Sequence, residues 1–447
     1  QLAKSSLNAA IEIWGQSVTG KALTALRIAT PEAKVERLRI LIVGSHHGAS
    51  EAAGAESLMV LARQILHEDL GYLLEDIEFY LLPLANPDGL EADTSKNANK
   101  VNLNRDYVVL SQPESVAIDQ ALFRIQPHVV LDAHESAALK RNSLAKEGYM
   151  TEFEAQFDFA NNPAIPQRTQ RFCERQLLRP LLARISEQGL VSQRYIREIR
   201  SIRQPLTHGG MTADIFRNKA GLCGALSFLL ETRMETKYGH YDSFRNIRVR
   251  RQRQVLSQRV FLGLVHSQKK RILDQFRIAQ QSIHTKTCLL NADYVPDPNE
   301  PFSDITLRRL DNQELVSIAF QNHRHSHFHT RIKRPFAYVI TDHIEDISAL
   351  LLRNSLQFEL VQNEADLHCL ALTAHWQHNE TSKLQQRVFP HCLHLQPGFL
   401  RIPVAQVRGQ LLPQLFEPQA KSSLFQHEIF RPWFNDPDSA FIYRCSE

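Results

Sequence analysis

Three apolar runs of strand length, each delivering polar residues at its carboxyl end, constrain this chain more than any other feature. Residues 38–43 are apolar except for Arg39 and lead into Gly44, Ser45, His46 and His47. Residues 77–84 lead into Ala85, Asn86, Pro87, Asp88 and Gly89, a strong turn sequence. Residues 128–133 end at His134. Short, nearly unbroken apolar runs read as buried strands, and Glu51 opens a helical periodicity through Leu58, Val60, Leu61, Ile65 and Leu66. Alternation of this kind predicts an α/β fold, whose sites lie beyond the carboxyl ends of the strands.

The residues delivered there suit metal chemistry. One histidine of the pair His46 and His47, with Glu51 and His134, supplies two imidazoles and a carboxylate, one of the ligand sets found at catalytic zinc. Asn104 and Arg105 lie between them in the chain, and a guanidinium meets a carboxylate with two parallel hydrogen bonds. Residues 225–230 form another apolar run, with Glu231 at its end and Arg233 two residues on, sharing its face. Glu231 reads either as an acid–base group or as a structural ion-pair partner of Arg233.

The strings HGASE, NPDG, NLNRDY, LDAHES and SFLLETR, in that order after residues 14–21 (WGQSVTGK), resemble the zinc carboxypeptidase family, the metallopeptidases related to carboxypeptidase A. The resemblance covers residues 14–250, and the stretch from Arg217 and Asn218 to Arg233 is similar to a bacterial branch. It implies a mixed twisted sheet flanked by helices, with one zinc per chain held by His47, Glu51 and His134. It also implies Glu231 as general base toward water, Asn104 and Arg105 at the substrate's terminal carboxylate, and Arg217 and Arg233 as further substrate-binding candidates. The implied substrate is a peptide, or an N-acyl amino acid, with a free carboxylate. The implied reaction is removal of a carboxyl-terminal residue; alternatives on the same scaffold are a deacylase or amidase acting on a small N-acyl amino acid or cell-wall peptide, and a binding protein with impaired catalysis.

The chain departs from the family pattern in places. Three residues rather than two separate His47 from Glu51. Asn102 replaces the aspartate that precedes Leu-Asn-Arg, and Ser95 or Lys96 stands where an oxyanion-stabilising arginine is usual; Lys96 could substitute as a point charge. Tyr195 is available as the family's mobile phenol, although its context does not mark it. Asp132 and Glu135, flanking His134, read as hydrogen-bonding support and a solvated turn charge, and Glu56 as an ordinary helical residue.

Beyond His134, residues 168–188 have a helical apolar face that Pro180 should kink or divide. The glycine-rich loop of Thr207, His208, Gly209 and Gly210 borders the cleft, with His208 read as a turn residue. Residues 241–284 read as helix, with Phe244, Val249, Leu256, Val260, Leu264 and Val265 as the buried stripe and Arg245, Arg248, Arg250, Arg251, Arg253 and Arg259 as a solvated basic face.

After about residue 285 the texture changes to short β-branched and aromatic stretches, dividing the chain into a catalytic domain, 1–284, and a smaller α+β accessory domain, 285–447. Strands are expected at 336–340 and 358–361 with a helix at 344–352, and residues 399–433 loosely resemble a region attached to some bacterial members. His323, His325, His327 and His329 alternate as on one strand face, read as solvated rather than as a metal patch. A net charge of +4 gives no case for nucleic acid, and no run reaches the roughly 18 apolar residues of a membrane span. The six cysteines have no CxxC spacing and demand no disulfide framework. A periplasmic or secreted location suits a peptidase, and Gln1 in place of Met is compatible with a removed leader.

Overall fold

The parallel strands read from the sequence form the centre of an eight-stranded mixed sheet. Its strands are β1 (Ala9–Gln16), β2 (Ala22–Ile28), β3 (Leu38–Gly44), β4 (Ile77–Leu82), β5 (Val129–Ser136), β7 (Ala155–Phe159), β8 (Ser192–Arg194) and β9 (Leu226–Arg233). The short β6 (Tyr149–Thr151) belongs to another sheet. The order is β1-β2-β4-β3-β5-β9-β7-β8, with β4, β3, β5 and β9 mutually parallel, β1 and β2 antiparallel to their neighbours, and β7 antiparallel to β9 but parallel to β8. The computed structural model describes residues 6–31, 36–240, 246–281, 286–376, 384–434, 436 and 440–446.

Central strands are apolar because both their faces are covered. Ile40, Ile42, Leu131 and Phe228 pack on one side with Leu58, Leu61 and Ile65 of α1 (Ala52–His67) and Phe261 and Leu262 of α3 (Ile247–Ser267). Leu41, Val43 and Val130 pack on the other with Ile118 and Leu122 and with Phe216 and Ala220 of α2 (Phe216–Leu222). Fully burying one such side chain stabilises by about 1.5–3 kcal/mol, so neither face tolerates a register slip. That register sets His134 on β5 directly across from Glu231 on β9.

Three expectations need correction. His134 does not end its strand, because β5 runs on to Ser136 beside β9. The helical stretch near Pro180 continues as Gln167–Phe172, a π-helical Cys173–Leu178 and then Arg179–Glu187. The wider π turn precedes the proline, which sits in the first turn of the last segment, where its missing N–H leaves least unsatisfied. The basic helix breaks at Gln268 between Ser267 and Lys269, and its arginines are not all solvated: Arg250 and Arg253 are buried. Phe244, Arg245 and the 284/285 boundary lie outside the described residues.

The remaining strands form three smaller sheets. β10 (Thr287–Val295) pairs with β13 (His325–Lys333), while β11 (Phe302–Arg309) pairs with both β12 (Leu315–Gln321) and β6. A six-stranded antiparallel sheet contains Ala337–Ile340, Glu359–Val361, Ala365–Trp376, Leu384–Leu395, Phe399–Pro403 and Ile442–Cys445, with helix Ile344–Arg353 beside it. Cys369 and Cys445, directly paired across this sheet, form a disulfide. Buried ion pairs tie this part to segments around the large sheet: Arg308 holds Glu152 with two hydrogen bonds, and Arg408 meets Asp119, which Lys219 also approaches. His325, His327 and His329 lie on the exposed face of β13, and His329 pairs with Asp293 at 2.9 Å.

Candidate metal centre and cleft

The extra residue after His47 is absorbed locally. Gly48–Glu51 forms a 3-10 turn ahead of α1, entered through Gly48 at φ +48°. A side chain there would meet Gly89 C at 2.6 Å and Leu90 N at 2.7 Å, so the turn packs backbone to backbone against the Asn-Pro-Asp-Gly segment. Asn86 holds that segment by accepting from Gly89 N, 2.9 Å away. We expect Gly48→Ala to destabilise the fold by about 1–3 kcal/mol and to weaken metal uptake, as read by denaturation and metal titration. Unchanged stability and uptake would show that the turn tolerates a side chain.

One donor atom each from His47, Glu51 and His134 falls within a mutual 4.8 Å, a group able to hold a metal ion. Glu51 Oε1 is 3.0 Å from His134 Nδ1 and 4.0 Å from His47 Nε2. A second group of the same kind is His46, Asp132 and His134. His46, however, is wholly buried, with Nδ1 against Asp132 Oδ1 and Nε2 against the Tyr107 hydroxyl, both at 2.7 Å. The His47 group borders the cleft, where a catalytic metal needs its open position. Two imidazoles and a carboxylate are a donor set that fits zinc.

Behind this group lies support that stabilises its charges. Asp132 Oδ2 is 2.8 Å from His134 Nε2, and the same carboxylate holds His46. Burial opposes ionisation of Asp132, but His134 and His46 outweigh it and hold its pKa far below the ordinary value. Glu51 is lowered in the same way, burial being overcome by His134 and His47. For His134 burial favours the neutral form, yet Asp132 and Glu51 raise its pKa well above normal. A positive charge is thus wanted among these groups. Asp132 therefore does for His134 what a supporting carboxylate does for a metal-bound histidine. Glu135 is no solvated turn charge: it is buried, paired with Arg250 through two hydrogen bonds of 2.7 Å, and it accepts from Ala53 N.

The cleft beside this group is about 490 Å³ and brings together every candidate residue named from the sequence: His47, Glu51, Asn104, Arg105, His134, Arg217, Glu231 and Arg233. Glu231 is raised to about 7, chiefly because burial disfavours its charge. Arg233 is not its ion-pair partner; it donates to Thr151 O at 2.9 Å and lies 4.0 Å from Glu154. Arg105 is exposed and donates to its neighbour's carbonyl, Asn104 O. Asn104 is buried behind the cleft, its Nδ2 3.3 Å from His134 Nε2 and its Oδ1 accepting from Phe216 N, so it fixes the start of α2.

Two cleft residues carried little sequence signal. Tyr195 lines the cleft beside β8, and its phenol interacts electrostatically with Glu231, Arg217 and Arg105. Lys140 borders both this cleft and an adjoining chamber that Ser95 and Asn102 also line. Lys96, by contrast, is exposed and lines neither. His208 is buried, its Nδ1 2.7 Å from Tyr195 O, and it supports the wall rather than the metal group.

Residues 2–124 match the family described as Zinc carboxypeptidase. The chain is 30% identical over 201 residues to Carboxypeptidase 2 of Trichophyton rubrum, covering 44% of this chain and 37% of that protein. It is 32% identical over 120 residues to Carboxypeptidase SOL1 of Arabidopsis thaliana, covering 23% and 24%. The chain thus spans less than two fifths of the length of these two relatives. A solved metallo-carboxypeptidase of Burkholderia cenocepacia aligns with a TM-score of 0.46 at 16% identity, over 60% of this chain and 67% of that one. The likeness to the zinc carboxypeptidase family thus lies in the amino-terminal region of this chain.

Proposed function

We propose that this protein is a zinc-dependent hydrolase that removes the carboxyl-terminal residue of a peptide. The observation that carries the reading is the meeting of three elements in one cleft: the His47, Glu51 and His134 group, the Glu231 carboxyl, and the Arg105 guanidinium. Zinc at the ligand group, one per chain, supplies Lewis acidity toward water and the scissile carbonyl. Arg105 meets the terminal carboxylate with its fork and sets the bond to be cut beside Glu231. Glu231 takes the proton from the attacking water and returns it to the departing amine. A carboxyl already raised to about 7 is suited to both tasks, and a nearby cation brings it lower. Lys140 at the rim is the positive group nearest in kind to the missing oxyanion arginine.

Metal content and end-group dependence test this reading. Purified protein should hold one zinc per chain, lost in His134→Ala together with hydrolysis. A peptide with a free carboxyl end should be cleaved at least about 100-fold faster than its amide, and Arg105→Ala should remove most of that preference. Equal cleavage of both ends would sink the carboxypeptidase reading in favour of the amidase. A protein that neither holds zinc nor hydrolyses when zinc is added would leave only the binding-protein reading.

The disulfide between Cys369 and Cys445 supports an oxidising location, periplasmic or extracellular. Residues 285–447 act as an accessory region that braces the cleft. In support, the Tyr294 hydroxyl of β10 bonds Gly209 O at 3.0 Å and accepts from Asn161 Nδ2 at 2.8 Å.

A further inference from the structure

We infer that the inner cleft is built for an acidic side chain, so that the terminal residue removed is glutamate or aspartate, with Arg217 as its receptor. The inference rests on the hydrolase reading for the placement of that residue.

Arg217 is 2% exposed yet lines the cleft. Its Nη2 donates to Asn161 Oδ1 at 3.3 Å and Gly210 O at 3.2 Å, and its Nη1 is 3.5 Å from Asp158 Oδ2. Its Nε has no partner among the described residues. Asp158 also serves Arg194, whose Nε lies 3.1 Å from Oδ1. One carboxylate therefore answers two guanidiniums, leaving positive charge in excess. His208 nearby does not alter the count, because burial lowers it to about 4 and it stays neutral near pH 7. A buried cation without full compensation is costly, and an anionic ligand group relieves that cost.

The wall leaves the guanidinium accessible. A Cβ at Gly209 would lie 2.8 Å from Arg217 Nη2 and 3.2 Å from the Tyr195 ring, so the bare backbone preserves the space. Of the other acids of the cleft, Glu231 is kept for the proton path and three are already engaged. Glu135 pairs with Arg250, Glu198 lies 3.3 Å from both Lys140 and Arg200, and Glu51 belongs to the ligand group. Arg233 adds to the positive field from the Thr151 side. Arg105, separately exposed, remains for the α-carboxylate. Two cations thus await two carboxylates on one terminal residue, and a lysine or arginine side chain would be repelled. A leucine would leave Arg217 desolvated with only the shared Asp158 as its anionic partner.

The test compares zinc-loaded wild type on N-blocked peptides identical except for a terminal Glu, Gln, Leu or Lys. A charged hydrogen bond distinguishes Glu from its neutral isostere by at least about 10-fold in kcat/KM. Arg217→Gln should abolish that preference, and Arg217→Lys should retain part of it while keeping the Asp158 partner charged. Wild type that cleaves the Gln or Leu peptide as well as the Glu peptide overturns the inference, whatever the variants do. If no peptide is hydrolysed, the hydrolase reading has failed, and calorimetry on the same protein decides about the pocket. Glutarate binding about 10-fold tighter than butyrate, with the difference lost in Arg217→Gln, supports the inference; equal binding overturns it.

Discussion

Glu231→Gln is expected to lower kcat by about 10³-fold while zinc content and the unfolding midpoint stay close to wild type. The amide has the same shape, so β9 keeps its register beside β5, but it cannot accept the proton of the attacking water. The variant is informative because the Glu231 side chain makes no hydrogen bond or ion pair among the described residues, and Arg233 is engaged by Thr151 and Glu154. Removing a carboxyl whose ionisation burial opposes should therefore cost little stability. Assays of turnover, metal content and denaturation on one preparation check all three expectations. A large loss of stability would instead assign Glu231 a structural role, and a kcat within a few-fold of wild type would remove it from the proton path.

Arg250→Ala should destabilise the protein by about 3–5 kcal/mol, the usual consequence of leaving one member of a buried ion pair uncompensated. Arg250 and Glu135 are both buried and joined by two hydrogen bonds of 2.7 Å. Glu135 follows the candidate ligand His134 on β5 and accepts from the amide of Ala53 at the start of α1. The pair therefore fastens the basic helix to both segments that carry metal ligands, and zinc affinity should fall together with stability. Replacing both members by Met and Gln should recover part of the loss, since no unpaired charge remains. Chemical denaturation of the single and double variants, with zinc titration alongside, measures the coupling. A single variant within about 1 kcal/mol of wild type would contradict it.

The arginine-rich helix shows how far composition can mislead. Its spacing predicts an apolar stripe and a basic face in water, whereas the buried side of its first half is Arg250, Arg253, Gln254, Ser257 and Gln258. Arg253 closes on Glu154 and on the carbonyls of Arg233 and Glu235, and Gln254 donates to His134 O. Helical periodicity reports where apolar residues fall, and it cannot see acceptors brought from distant strands.

The amino-acid sequence by itself determined the central parallel strands, because unbroken apolar runs can be buried only with both faces covered, and it placed polar residues at their ends. It also marked the candidate ligands, the acidic residue after the fourth apolar run and the arginine after Asn104, since local order and residue chemistry sufficed. The tertiary structure alone decided the rest. The turn at Gly48 accommodates the extra residue only because the Gly89 backbone lies against it. Asp132, His46 and Tyr107 became one hydrogen-bonded chain behind His134, Glu135 found Arg250, and Tyr195 and Lys140 came to face the cleft from separate segments. Each of these depends on a contact between residues far apart in sequence, where neither spacing nor propensity carries information and only the packed register of the sheet supplies it.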